Sequence, residues 1–408
     1  MRVVMVSDVY FPRINGVSTA IQTYHQALRA HGVEVSLVAP DYGQPCSESW
    51  ITRVPARPVP GDPEDRLVRW GAMHQAVEDA VEQGCDLIHV QTPFVAHYAA
   101  SAAARRNGIP VIATYHTLFE EYLKHYAPLI PAAWLRGLAR SFSRRQCNAL
   151  DAVIVPSKAI HERLGGYGVK APMHVLPTGI SLQVPASDGN SGGNHDGHRA
   201  GRQDFRTRFG IDESRPVALF VGRVAHEKNI GFLLDVIDLA RESLPNVLLV
   251  IAGEGPALPA LRKTVAERGL QGCVQFIGYL DRKTDLPACY AAADAFVFAS
   301  RTETQGLVLL EAMAAGLPVV SLAEMGTVDI LGAGRGAIVP DDNPCAFAVA
   351  LTGLLRDANL RNRLSAEGRE YAAEWSDDKL AGRMAELYRQ IVSWHIGQSI
   401  PDFNLSLP

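Results

Sequence analysis

The 408-residue chain is 47% hydrophobic and 20% charged, with a formal net charge of −4; one core does not fill such a length, so two domains are expected, and the charge gives no reason to expect a nucleic-acid partner. Cys46, Cys85, Cys147, Cys273, Cys289 and Cys345 form no Cys-x-x-Cys pair and no disulfide framework, which fits a reducing cytoplasm. The apolar runs are cut by Asp294, Glu311 and Pro318 before any reaches the ~18–20 residues of a membrane span, and the opening run is too short for a signal peptide, so any membrane contact is expected to be peripheral.

In chain order, residues 3–6 read as a buried first strand, and the stretch from Asp8 to Thr19 leads from it into a helix. Gly16 at that helix N-terminus is placed to bring backbone amides to a phosphate, although Gly-x-Gly-x-x-Gly, the dinucleotide fingerprint, is absent. Further β-branched runs at 33–39, 87–90, 111–114 and 152–155 alternate with helical patterns. That alternation predicts parallel α/β units. His116 stands just past the 111–114 strand, and Asp151 reads as a turn residue.

Residues 131–145 form a helical pattern with Trp134, Leu135, Leu138 and Phe142 on one face and Arg136, Arg140 and Arg144 on another. Two readings fit: an interfacial helix for anionic lipid, or a core-packed helix with a solvated basic face. The stretch 185–205 opens glycine-rich and polar and is expected to be a linker or insertion that cannot bury a core.

A second alternating set follows, with strands at 217–221, 247–252, 274–277, 295–298 and 319–322. Two doubly wound domains are therefore expected, each binding ligand at the carboxyl ends of its strands. Arg223 and Lys228 lie in the loop after the first of these strands, Gly253 and Gly278 end the next two, and Glu303 and Glu311 bracket the passage from the fourth strand into a helix. The amides of Thr304, Gln305, Gly306 and Leu307 crowd that helix N-terminus, where unpaired N–H groups and the dipole favour a phosphate. Taken singly, Glu303 could be a solvated loop carboxylate, Glu311 a first-turn acid, and Arg223 and Lys228 surface cations.

Acid-x7-acid with this glycine and helix, together with the Gly222-Arg223…Glu227-Lys228 segment, resembles the signature of the retaining GT-B glycosyltransferases of family 4. The resemblance implies the GT-B fold, with two Rossmann-like domains facing a central cleft: residues 1–184 on the acceptor side, a linker at 185–205, a nucleotide-sugar domain at 206–387, and a C-terminal segment from Tyr388 crossing back. It implies that Glu303 meets the donor sugar and Glu311 the ribose, that the amides between them meet the pyrophosphate with Arg223 and Lys228, and that Gly278 lies by the nucleobase. Gly16 matches the family's glycine loop. His116 and Glu303 match the catalytic positions. The reaction would proceed with retention and need no metal or other cofactor, the two cations replacing an ion.

The segment 115–128 and the Glu-Thr-Gln-Gly form of the acid motif, with Gln305, are similar to bacterial diacylglycerol glucosyltransferases within the family. That similarity implies a UDP-sugar donor, a lipid acceptor such as diacylglycerol, and a cytoplasmic enzyme peripheral on the inner face of the membrane, with Trp134, Arg136, Arg140 and Arg144 at the lipid surface. Other classes stay open: transfer to a soluble sugar or metabolite, a GT-B epimerase acting without acceptor, a phosphorylase carrying lysine-bound pyridoxal phosphate, and a non-catalytic nucleotide- or glycan-binding protein.

Overall fold

A computed structural model describes residues 1–44, 48–59, 62–116, 132–181, 194–282 and 284–397; the side chains of 62–64, 132, 133, 135, 136 and 194–200 lie outside that description. The chain forms two compact units, one made of Met1–Ser181 and the chain from Trp375 onward, the other of Leu182–Glu374. Each is built on a parallel sheet.

The first unit contains β1 (Arg2–Val6), β2 (Glu34–Pro40), β3 (Ile51–Val54), an antiparallel pair β4 (Ala56–Val59) and β5 (Asp62–Val68), then β6 (Leu87–Val90), β7 (Val111–Thr114), β8 (Ala152–Val155) and β9 (Met173–Val175). Its seven-stranded sheet runs β3-β2-β1-β6-β7-β8-β9. The second unit contains β10 (Val217–Val221), β11 (Leu248–Ala252), β12 (Val274–Gly278), β13 (Ala295–Phe298), β14 (Val319–Ser321) and β15 (Ala337–Ile338), in the order β12-β11-β10-β13-β14-β15. Central strands such as β6, β8, β11 and β13 are buried at every residue. Helices covering both faces of a parallel sheet leave no polar side to the strand, which is why these runs are apolar throughout except for His89 in β6. In both sheets the order reverses beside the first strand of the unit, between β1 and β6 and between β10 and β13. Ligands bind at such switch points.

Two boundaries differ from the sequence reading. The helix Asn194–Arg208 occupies much of the expected 185–205 linker, and its last turns are anchored by Phe205 and Arg206, 4% and 1% exposed. Arg206 donates to the carbonyls of Ala292, Asp212, Glu213 and Arg215 and to Asp294 Oδ2. A buried guanidinium is tolerable only when so many donors are satisfied. Composition alone does not disclose that the acceptors will converge. Residues 182–193 lie outside the described residues.

The return to the first unit begins at Trp375 rather than Tyr388. Ile180 N donates to Trp375 O at 3.0 Å and Asp377 N to Ile180 O at 2.9 Å, so the returning chain is paired before its last helix starts. Ser376 caps that helix, Asp377–His395, and Asp377 and Asp378 stand in its first turn, where the dipole favours acids. Tyr388 lies midway along it, fully buried.

Candidate active site

The second unit assembles its site at the β10/β13 switch. β10 and β13 pair in parallel, Ala218 with Ala295 and Leu219 with Phe296, so the loops leaving them are neighbours. Asn229 Nδ2 donates to Ala299 O at 3.2 Å and Ser300 Oγ to Glu227 O at 3.3 Å, clipping the two loops together. Lys228 Nζ then lies 2.5 Å from Glu303 Oε1, with side chains 22% and 16% exposed. The cation read for the diphosphate and the acid read for the sugar therefore meet at one point. Without ligand each compensates the other's charge. Arg223 is half-buried on the same β10 loop.

A turn not singled out from sequence supports the acid loop. Gly326 N donates to Glu303 O at 2.9 Å, and a Cβ on Gly326 would stand 2.0 Å from Thr304 O. Thr304 and a buried Gln305 lead to Gly306, which takes φ 96 as the N-cap of the helix Leu307–Ala314. A side chain there would be strained and would also meet Thr327 Cγ2 at 2.9 Å. Asn229 at φ 54 and Met325 at φ 55 are the non-glycine left-handed residues among those described, and both sit in the segments framing this site. Such strain collects where surrounding structure over-determines the backbone, as at ligand clamps.

Glu311 is on the second turn of the same helix. Arg282 Nη2 lies 2.7 Å from its Oε1, and Tyr290 Oη donates to Oε2 at 3.4 Å. Neither partner was foreseen from sequence; Arg282 stands shortly after Gly278 at the end of β12, where any loop residue reaches the sheet's carboxyl edge. Gly253 and Gly278 are bridged, Gly253 N donating to Gly278 O at 2.8 Å. The need for glycine at 253 comes from the chain itself: at φ 142 its Cβ would fall 2.0 Å from Gly222 O. Gly253 therefore lets the β10 and β11 loops approach each other.

In the first unit, Gly16 opens the helix Gly16–Leu28, capped by Asn15 accepting from Ser18 N at 2.8 Å. A Cβ at Gly16 would meet nothing within 4 Å, so packing within the chain does not itself demand glycine there. His116 follows β7, and its Nε2 lies 2.9 Å from Oε1 of Gln91, which follows β6. Desolvation pushes the His116 pKa down to about 4. The ring is neutral at pH 7. Behind it, buried His89 bonds Tyr388 Oη and Thr114 Oγ1, each at 2.7 Å, and burial lowers its pKa to about 3. Asp8 belongs to the framework: it accepts from Thr92 Oγ1 at 2.7 Å and Ala96 N at 3.2 Å, and burial raises its pKa to about 6. Asp151 accepts from Val111 N at 2.7 Å, joining β7 to the turn before β8.

The helix Ala132–Cys147 does not pack its apolar face as a core helix would. Trp134 and Leu138 are 73% and 60% exposed, while Ala139, Ser143, Gln146 and Cys147 form the buried side. Arg140 and Arg144 are exposed, Arg140 lying 5.5 Å above the Tyr167 ring. The side chains of Leu135 and Arg136 and all of 117–128 lie outside the described residues. Among the described residues no group of three His, Cys, Asp or Glu side chains could hold a metal ion, and no helix is long and apolar enough to cross a membrane.

Residues 14–184 match the Glycosyltransferase Family 4 domain and residues 201–371 match Glycosyl transferases group 1. The alpha-monoglucosyldiacylglycerol synthase of Streptococcus pneumoniae is 33% identical over 79% of this chain and 71% of its own length. The alpha-monoglucosyldiacylglycerol synthase of Acholeplasma laidlawii is 28% identical over 78% of this chain and 80% of its own. Among solved structures, Anabaena HepE in complex with UDP and glucose superposes with a TM-score of 0.74 at 15% identity, covering 96% of this chain and 100% of that one. At that identity the likeness is one of fold.

Proposed function

Because the chain belongs to the family 4 glycosyltransferases of GT-B fold and is a hexosyltransferase, we propose that it moves a hexose from a UDP-sugar, with retention, to the hydroxyl of a membrane lipid such as diacylglycerol. The observation that carries the reading is the Lys228–Glu303 contact. A diphosphate reaching Lys228 replaces Glu303 as its counter-ion and frees that carboxylate for the sugar hydroxyls. Arg223, Lys228 and the amides from Thr304 to Leu307 then face negative charge that grows on the leaving diphosphate, the interaction that lowers a barrier most. These groups supply the charge a metal would otherwise bring, so no metal or other cofactor is required. Glu311 takes the ribose, and Gly278 lies by the base. In the first unit, Gly16 is assigned a phosphate contact and His116, neutral, a hydrogen bond to the transferring sugar.

Two observations support a lipid acceptor. The relatives named above are alpha-monoglucosyldiacylglycerol synthases by name, and Trp134 and Leu138 are exposed on a helix that also presents Arg140 and Arg144, the pairing that suits an anionic bilayer surface. UDP is the nucleotide in the HepE complex. The enzyme would then act from the cytoplasm as a peripheral protein. The test is a panel of UDP- and GDP-sugars, with and without EDTA, against diacylglycerol in anionic vesicles and against soluble sugars. Mass spectrometry identifies the product and NMR its anomeric configuration. A glycolipid of retained configuration from a UDP-hexose, unaffected by EDTA, is expected. Glycosylation of soluble acceptors alone would remove the lipid assignment, and an altered sugar nucleotide formed without acceptor would mean epimerisation.

A further inference from the structure

Glu311 reaches the site already partnered. Arg282 comes from the loop after β12 and Tyr290 from the helix Asp285–Ala292, and both converge on its carboxylate. The attraction of Glu311 holds the Arg282 guanidinium above its usual range. Burial keeps the Tyr290 hydroxyl protonated, so it acts as a donor to Glu311. A carboxylate offers about four lone-pair sites. One is filled by a charged donor at 2.7 Å and another is touched at 3.4 Å, which leaves capacity for two more donors. A vicinal diol is such a pair.

We propose that Arg282 is a positioning residue, fixing the Glu311 carboxylate in the orientation that receives the ribose diol of the donor nucleotide. The proposal rests on the reading of Glu311 as the ribose acid. A purely stabilising role explains the contact less well, because the two side chains are 36% and 22% exposed and partly solvated ion pairs contribute little to folding. A competitor role, with Arg282 occupying the seat of the ribose, predicts the opposite sign, since removing a competitor tightens binding.

Calorimetric titration of UDP and 2′,3′-dideoxy-UDP into the wild type, Arg282→Met, Arg282→Lys and Glu311→Gln separates these cases. The wild type is expected to prefer UDP by about tenfold or more, as befits hydrogen bonds to a charged group. In Arg282→Met the dideoxy affinity should stay within about twofold of wild type while UDP weakens about tenfold, so the preference collapses; Arg282→Lys should keep part of it. The unchanged dideoxy affinity also reports that the variant is folded. Equal weakening of both nucleotides, an intact preference, or tighter UDP binding in Arg282→Met overturns the role of Arg282 alone. No preference in the wild type, or an intact one in Glu311→Gln, removes the ribose reading and the proposal with it.

Discussion

The two units bury their polar groups by different means. The second uses opposite charges in contact: Lys228 with Glu303 and Arg282 with Glu311 at the site, and Arg206 with Asp294 at the amino end of β13. Beside the Arg13–Asp65 ion pair, the first buries histidines that stay uncharged: His89, His97 and His116 have pKa values lowered to about 3, 4 and 4 by burial, while burial raises Asp8 to about 6. Paired charges can change partners when a charged ligand arrives, whereas a neutral imidazole suits an uncharged hydroxyl. Under the proposed function the Lys228–Glu303 pair would open to a diphosphate and neutral His116 would face a sugar hydroxyl, and the two units' sensitivities to pH and mutation should differ accordingly.

The largest expected difference is in acid. The three histidines are neutral in the fold well below the unfolded value of about 6.5, so the unfolded chain binds protons first as pH falls. Their contribution is complete above pH 6.5 and is lost progressively down to the folded values, on the order of 2 kcal/mol for each at pH 5. Asp8 acts the other way, gaining as pH drops through about 6, and offsets part of the loss. Hydrogen exchange between pH 7 and 5 should show amides of the first unit opening before those of the second. The reverse order would break the comparison.

Next in size is Arg206→Met. It removes a cation with 1% exposure and leaves the carbonyls of Ala292, Asp212, Glu213 and Arg215 without this donor, while Asp294 keeps Arg202 and the Val217 amide; each unsatisfied carbonyl is worth about 1–3 kcal/mol. Urea unfolding should show that loss in the second unit only, and a shift below about 1 kcal/mol would mean water replaces the guanidinium.

Glu303→Ala should lower turnover by about 10²–10³-fold, as when one preorganised transition-state contact is lost. Wild-type turnover would end its assignment to the donor sugar. Lys228→Met should weaken UDP by roughly ten- to a hundredfold, and unchanged affinity by calorimetry would place the diphosphate elsewhere. Smallest, reversal of Arg140 or Arg144 to Glu should reduce binding to anionic vesicles by roughly fivefold per arginine, less at high salt, while UDP binding stays as in wild type. Flotation that ignores both substitutions would leave the exposed Trp134 face unexplained.

Much of this was legible locally. The buried strands β1, β2, β6, β7, β8, β10, β11, β13 and β14 announce themselves as short apolar runs because each is sealed on both faces; β12, a mostly half-buried edge strand, still carries Val274, Phe276 and Ile277. The edge strands β3, β9 and β15 and the β4–β5 pair carry no such run, being partly exposed and two to seven residues long. The exposure of Trp134 and Leu138 was not legible either: an apolar stripe on a helix looks the same whether it faces a core or leaves it.

By itself the sequence determined the two parallel α/β units, the acid pair Glu303 and Glu311 with seven residues between them at a strand-to-helix passage, the cations of the Arg223–Lys228 loop and the histidine past β7, since each depends on neighbours within a few residues. Which of those groups touch was decided by sheet order. Lys228 meets Glu303 because β10 lies beside β13, His116 meets Gln91 because β7 lies beside β6, and Arg282 meets Glu311 because the loop after β12 and the helix after β13 converge. Strand order arises from which helices can cross over and cover which strands, an energy summed over the whole unit, and no local pattern contains it.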